Sequence, residues 1–198
     1  MSKSFVRVAE RLFLICLSLG IIFRIAPQVT EHPQLALFLI SEIVGVILIL
    51  AQRRGDAATA LYPVTLAFVG TGAALLVTPS GIQLASNAVS ALMVFGGAAI
   101  ALGAKLSLRR SFGLVPANRG VKRGGLYRFV RHPMYFGYIV GQIGFLLLYF
   151  GPWNIAVYAV SWSALWLRAV EEEKFLSADP AYREYSAHVR ARLLPGLV

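Results

Sequence analysis

Gly124-Gly125-Leu126-Tyr127-Arg128-Phe129-Val130-Arg131-His132-Pro133-Met134-Tyr135 brings basic, aromatic and imidazole groups together beside a proline that can start a helix. Pro133 restricts His132 to extended backbone and itself suits the first turn of a helix. The imidazole is therefore expected at a helix N-terminus, next to backbone N–H groups that lack helical partners. Residues 134–150 continue as an apolar run, Gly151-Pro152 makes a tight turn, and residues 153–170 are apolar again. So short a turn predicts an antiparallel helical hairpin. Gly137 and Gly141 have the small-xxx-small spacing that lets membrane helices approach closely.

Outward from the hairpin the chain stays apolar. Of its 198 residues 58% are hydrophobic and 14% charged, and the mean hydropathy is +0.69. A soluble domain has about 45–50% apolar and about 25% charged residues, so the expected fold class is an all-α, integral membrane helical bundle. Crossing the hydrocarbon takes about 20 mostly apolar residues. Residues 8–26, 33–51, 59–78, 84–104, 134–150 and 153–170 are the six candidate spans. The first is trimmed by Glu10, Arg11 and Arg24, and the second has Pro33 at a plausible first helical position. A basic N-terminus before an apolar run also resembles a signal peptide, but Arg24 and Pro27 follow without a small-residue cleavage site, so a retained span is expected. The lone Cys16 lies in an apolar run and excludes an intrachain disulfide framework.

The net charge of +10 is distributed between the apolar runs rather than on one soluble face, which argues against nucleic acid as a partner. Lys3, Arg7 and Arg11 precede span one, and Arg53 and Arg54 separate spans two and three. Lys105, Arg109, Arg110, Arg119, Lys122, Arg123, Arg128 and Arg131 separate spans four and five. Arg168, Lys174, Arg183, Arg190 and Arg192 end or follow span six. With six spans all of these fall on one side and Arg24 on the other, so both termini are expected in the cytoplasm. The chain divides into residues 1–104, four leading spans, and residues 105–198, which hold an approach loop, the hairpin and a tail. The approach loop has no acidic residue before Pro133. The tail opens with Glu171-Glu172-Glu173 and carries Tyr182, Tyr185 and His188 at helical spacing, as an amphipathic helix lying on the membrane face would.

Arg168 and Glu172 are four residues apart and share a helix face. By residue type alone, this group could be a snorkelling arginine before a solvated acidic turn, and Tyr127 to Tyr135 could be an interfacial anchor. Three adjacent acids in a basic surface would equally suit a cationic ligand group. Glu42, near mid-depth of span two, is costly in hydrocarbon and is either functional or paired inside the bundle.

Taken in order, Gly-Leu-Tyr-Arg-Phe-Val-Arg-His-Pro-Met-Tyr, the hairpin, Glu-Glu-x-x-Leu at 172–176 and Tyr-x-x-Tyr at 182–185 resemble the isoprenylcysteine carboxyl methyltransferase family. The resemblance covers about residues 105–198. It implies a membrane methyltransferase that uses S-adenosylmethionine, releases S-adenosylhomocysteine and binds its cofactor at the cytosolic mouth of the hairpin. The family's cofactor contacts fall on Arg119, Gly120, Val121 and Lys122, on Tyr127, His132, Pro133, Met134 and Tyr135, and on Glu172, with Glu173 beside it. Arg168 matches the family's substrate-contacting arginine and would also be the catalytic group.

The implied chemistry is consistent with these residue types. Methyl transfer from a sulfonium to a carboxylate is an in-line displacement by a nucleophile already ionised at neutral pH, so it requires neither a general base nor a metal. Holding two reactants in line can supply roughly 7–11 kcal/mol, and a guanidinium can grip a carboxylate bidentately. The expected acceptor is an isoprenylated cysteine carboxylate or similar amphiphile reached from the bilayer. Alternatives are a phospholipid amine, a small thiol, or a non-enzymatic membrane module of the same fold. A nicotinamide-dependent reductase on a similar hairpin matches the motifs less well.

Overall fold

Local signals set the helix starts. In the computed structural model, which describes residues 2–30 and 35–194, Ser2 and Ser86 accept hydrogen bonds from the backbone N–H groups of Phe5 and Val89, three residues on. Asp179 caps a third helix by accepting from Ala181 N at 2.9 Å, and Pro133, Pro152 and Pro180 sit in first turns. These positions satisfy or remove N–H groups that a helix start leaves without partners. Among the described residues there are seven α-helices: α1 (Lys3–Ile25), α2 (Leu35–Leu50), α3 (Leu61–Gly72), α4 (Asn87–Leu108), α5 (Pro133–Leu148), α6 (Pro152–Leu176) and α7 (Pro180–His188). The expected start of the second span at Pro33 lies outside the described residues. Two short strands, β1 (Asp56–Ala57) and β2 (Ala117–Asn118), pair antiparallel, with Asp56 opposite Asn118 and Ala57 opposite Ala117.

One correction concerns the hairpin. Gly137 and Gly141 let α5 approach α4, not α6. A Cβ on Gly97 of α4 would lie 2.4 Å from Gly141 N, and one on Gly137 would lie 2.7 Å from Gly97 O. The α6 helix packs mainly on α3, where Gly70 lies against Ala164. Helices α5 and α6 are joined by the predicted tight turn but are buttressed by different partners.

At the turn end, Asn154 ties the connection together. It is buried, accepts from Thr78 N at 3.0 Å and donates to the carbonyls of Thr78, Ser80 and Tyr149. Ile82 and Phe150 form a single bridge beside it.

Glu42 is paired inside the bundle. Lys105 Nζ lies 3.1 Å from its carboxylate and also donates to Ser41 O and Oγ, while Ser18 donates to the other carboxylate oxygen. This network ties α1, α2 and α4. Lys105 is a buried residue within α4 rather than the first residue of the loop.

Asn87–Ser111 is long and apolar enough to cross a membrane by length and composition. Leu39–Leu50, Leu61–Leu76 and Pro133–Leu148 are apolar but shorter. Outward stripes are nonetheless apolar: Phe5, Val8, Leu12, Leu19 and Phe23 on α1, and Ile40, Ile43, Ile47 and Leu50 on α2, are all exposed.

Candidate active site

The site lies where the second half of the chain closes on itself. Approach-loop residues 109–132 pass from α4 to α5 and meet the C-terminal end of α6 and then α7. The tail runs beside residues 131–132: Arg131 N donates to Ala191 O and His132 N to Arg192 O, each at 2.9 Å. His132 is thereby held immediately before Pro133 at φ −127° and ψ 60°, outside the helical region but short of the fully extended backbone expected for a His-Pro step.

His132 is buried, and its Nε2 lies 3.0 Å from Glu173 Oε1. Its ring stacks on Tyr135 with centroids 5.2 Å apart and planes within 6°. The Tyr135 hydroxyl donates to Glu172 Oε2 at 2.8 Å. The Arg168 guanidinium lies over the Tyr135 ring, 5.0 Å from its centroid. It donates to Leu114 O and to Thr71 Oγ1, while Nε is buried without a partner. Thus one aromatic ring is flanked by an imidazole and a guanidinium, and its hydroxyl orients a carboxylate.

Adjacent glutamates have different surroundings. Glu173 is packed among cations: Arg192 donates to both its oxygens, and Arg131 Nη1 is 3.3 Å away. Burial alone would push this carboxyl up. The hydrogen bonds from His132 and Arg192 and the charges of His132 and Arg131 outweigh that and hold it at about 2. Glu172 instead lines a cleft, with its side chain 30% exposed.

The free volume inside that cleft is about 80 Å³, below the roughly 300–1,000 Å³ of small-molecule sites, so a ligand of nucleoside size requires its walls to move apart. Of the sequence-predicted residues, Arg119, Gly120, Val121, Lys122, Tyr127, His132, Met134, Tyr135 and Glu172 line it together. Pro133, Arg168 and Glu173 do not. Pro133 starts α5, Arg168 sits against Tyr135, and Glu173 anchors His132 and the tail. Gly120 has φ +93°, a backbone conformation that suits a residue without Cβ.

Other cleft residues escaped the residue-by-residue reading: Leu108, Ser111, Gly113, Val115 and Ala117. Small or apolar residues carry no chemical signal of their own. Tyr182 and Tyr185 also line the cleft, and this revises the expected membrane-facing tail helix. Both are buried, while His188 on the same helix is exposed. Tyr185 donates to Tyr127 O at 2.7 Å, and the Tyr182 hydroxyl is buried with no partner. Burial, reinforced by Glu172, pushes the Tyr127 hydroxyl well above its ordinary value, and burial likewise raises Tyr182. Both remain protonated donors near neutrality.

Glu10 of α1 is fully buried at the far side of the loop wall. Its Oε1 accepts from Leu114 N (2.5 Å), Val115 N (3.1 Å) and Gln52 Nε2 (3.4 Å), and its Oε2 meets Arg119 Nη2 at 3.5 Å. Burial pulls the Arg119 guanidinium below its ordinary value despite the opposing pull of Glu10 and Glu172. Nothing in the local pattern around Glu10 points to Leu114, Val115 or Arg119, more than a hundred positions away.

A comparison with curated protein sequences finds no match. The sequence profile of the isoprenylcysteine carboxyl methyltransferase (ICMT) family matches residues 82–178, which hold α4, α5, α6 and the loop between α4 and α5. That stretch, about half of the chain, is an isoprenylcysteine carboxyl methyltransferase family domain, and the match supports a methyltransferase of this family.

Proposed function

We propose that the protein is a multi-pass membrane methyltransferase that uses S-adenosylmethionine and acts on the carboxylate of an isoprenylated cysteine or a similar amphiphile. The observation that carries this reading is the Glu172–Tyr135–Arg168 arrangement. A partly exposed carboxylate in the cleft is oriented by a tyrosine whose ring carries a buried guanidinium.

The cleft residues fit the cofactor. Glu172 offers negative charge to a sulfonium or an acceptor to ribose hydroxyls. The unpartnered Tyr182 hydroxyl offers a donor or acceptor, and Tyr127 offers an aromatic surface. When bound, S-adenosylmethionine would supply an electrophilic methyl group. The protein's part is to hold and orient. Glu172 and the 119–122 backbone would grip the cofactor, and α7 with its two buried tyrosines would exclude water. Arg168 would direct the acceptor carboxylate, which is ionised at neutral pH and loses no proton.

A six-span topology with cytoplasmic termini is supported by the way the helix ends gather. The ends of α2, α4 and α6 and the starts of α3 and α5 meet around the approach loop, where the basic residues concentrate. The exposed apolar stripes of α1 and α2 would then face lipid, and residues 105–198 would form the methyltransferase core. The acceptor would arrive through the bilayer.

The test is direct. Purified protein in detergent should bind S-adenosylhomocysteine saturably, and absence of binding at millimolar ligand would overturn the reading. A radiolabelled methyl-transfer screen over prenylcysteine analogues, phospholipids and thiols should label a prenylcysteine analogue most strongly. Labelling of a lipid amine or a thiol instead would reassign the acceptor.

A further inference from the structure

The loop wall of the cleft has little regular structure: between the 109–111 turn and the 125–128 turn it makes only the two-residue β2. Its shape depends on side chains that reach it from elsewhere. Glu10 is the principal one. A carboxylate with no exposure is costly to bury unless it is fully hydrogen-bonded, and four donors converge on this one. Two come from consecutive peptides of the wall, one from Arg119 farther along it, and one from Gln52, which also donates to Phe112 O at 3.0 Å. The Leu114 peptide is held on both sides, with Glu10 taking its N–H and Arg168 donating to its carbonyl. Packing is tight at Gly113, where a Cβ would lie 2.4 Å from Arg119 Nη1 and 2.6 Å from Gln52 Nε2.

We propose that Glu10, on the first helix and outside the segment that matches the family, is a positioning residue for the cofactor cleft. It fixes the wall from Gly113 to Lys122 and, through the Leu114 peptide, the place of the Arg168 guanidinium. Apolar packing of α1 would satisfy a structural need alone, without a buried charge aimed at three points of one cleft wall. The assignment rests on the cleft being the cofactor site.

The test uses the full chain in detergent, at temperatures well below each variant's melting point. Glu10→Gln keeps the shape of the side chain but sets an amide against Arg119. Gly113→Ala displaces Arg119 and Gln52 without touching Glu10, and stands in should Glu10→Gln fail to fold. Each variant should weaken S-adenosylhomocysteine binding on the order of tenfold, the effect of losing about one hydrogen bond from a displaced wall. Each should also speed tryptic cleavage between residues 119 and 123. A purely structural role would lower the melting temperature while affinity and cleavage of the folded protein stay at wild-type values, and that result overturns the proposal. A wild-type protein that fails to bind S-adenosylhomocysteine defeats the methyltransferase reading instead. Loop protection in the variants then decides the role of Glu10 alone.

Discussion

The two ends of the bundle solve the same problem differently. At the turn end, where α5 passes to α6, a single neutral side chain, Asn154, satisfies four backbone groups. At the other end, closure is charged: Glu10 with Arg119, Glu173 with Arg131 and Arg192, and Arg168 over Tyr135. Neutral closure leaves little unmet. The charged end leaves a partly exposed Glu172, an unpartnered Tyr182 hydroxyl and an unpartnered Arg168 Nε. Buried polar groups are normally satisfied, and in the proposed complex the cofactor would meet the Tyr182 hydroxyl and Glu172, which both line the cleft.

Substitutions at the two ends should therefore separate function from stability. Arg168→Ala should have the largest effect, lowering turnover by roughly 10²-fold, the scale of a misoriented reactant. Affinity for S-adenosylhomocysteine should change much less, which isothermal calorimetry beside a methyl-transfer assay would reveal. Glu172→Ala should do the reverse. Loss of a hydrogen bond to a charged group, roughly 1.5–3 kcal/mol, weakens cofactor binding on the order of 10- to 100-fold. Equal loss of affinity in both variants would dissolve the distinction drawn between them.

Asn154→Ala probes the neutral end. Stranding several backbone groups should destabilise the fold by roughly 2–3 kcal/mol, read by denaturant or thermal unfolding in detergent. Cofactor affinity of the folded fraction should stay unchanged, and a shift in that affinity would show that the two ends are not independent. Glu173 gives a smaller, pH-dependent effect. Its folded carboxyl sits at about 2 against 4.5 for the free group, so its pairing stabilises the fold fully above about 4.5. That contribution is lost as pH falls toward 2. The melting-temperature gap between wild type and Glu173→Gln should be largest above pH 5 and close progressively below 4.5. Arg123→Ala is the control at the small end of the scale. Its pair with Glu184 is exposed on both sides, so stability and affinity should stay within error, especially at high salt.

Much of the candidate site was legible because chemistry-bearing residues lie close in sequence. Tyr127, His132 and Tyr135 share one loop-to-helix junction, and a proline announces it. Glu172 follows Arg168 by one helical turn. The helices were legible from apolar run length, but their partners were not. Gly137 and Gly141 advertise a close approach without saying to which helix, and only packing assigned them to Gly97 of α4. Tyr182 and Tyr185 showed helical spacing, and whether that face meets lipid or a cleft depends on where α7 lands.

The amino-acid sequence by itself determined an all-α, apolar chain with a His-Pro helix start, an acidic run at the end of α6, and a segment that matches a methyltransferase family. Periodicity, capping and short motifs are local properties and need no partner. Tertiary structure alone decided which of two neighbouring glutamates is neutralised and which faces the cleft, since Arg192 reaches Glu173 only after the tail folds back. It also decided that Glu10, 104 residues from Leu114, belongs to the loop wall. Hydrogen bonds and charge pairing act over a few ångströms of space, and sequence distance says nothing about that space until the chain has folded.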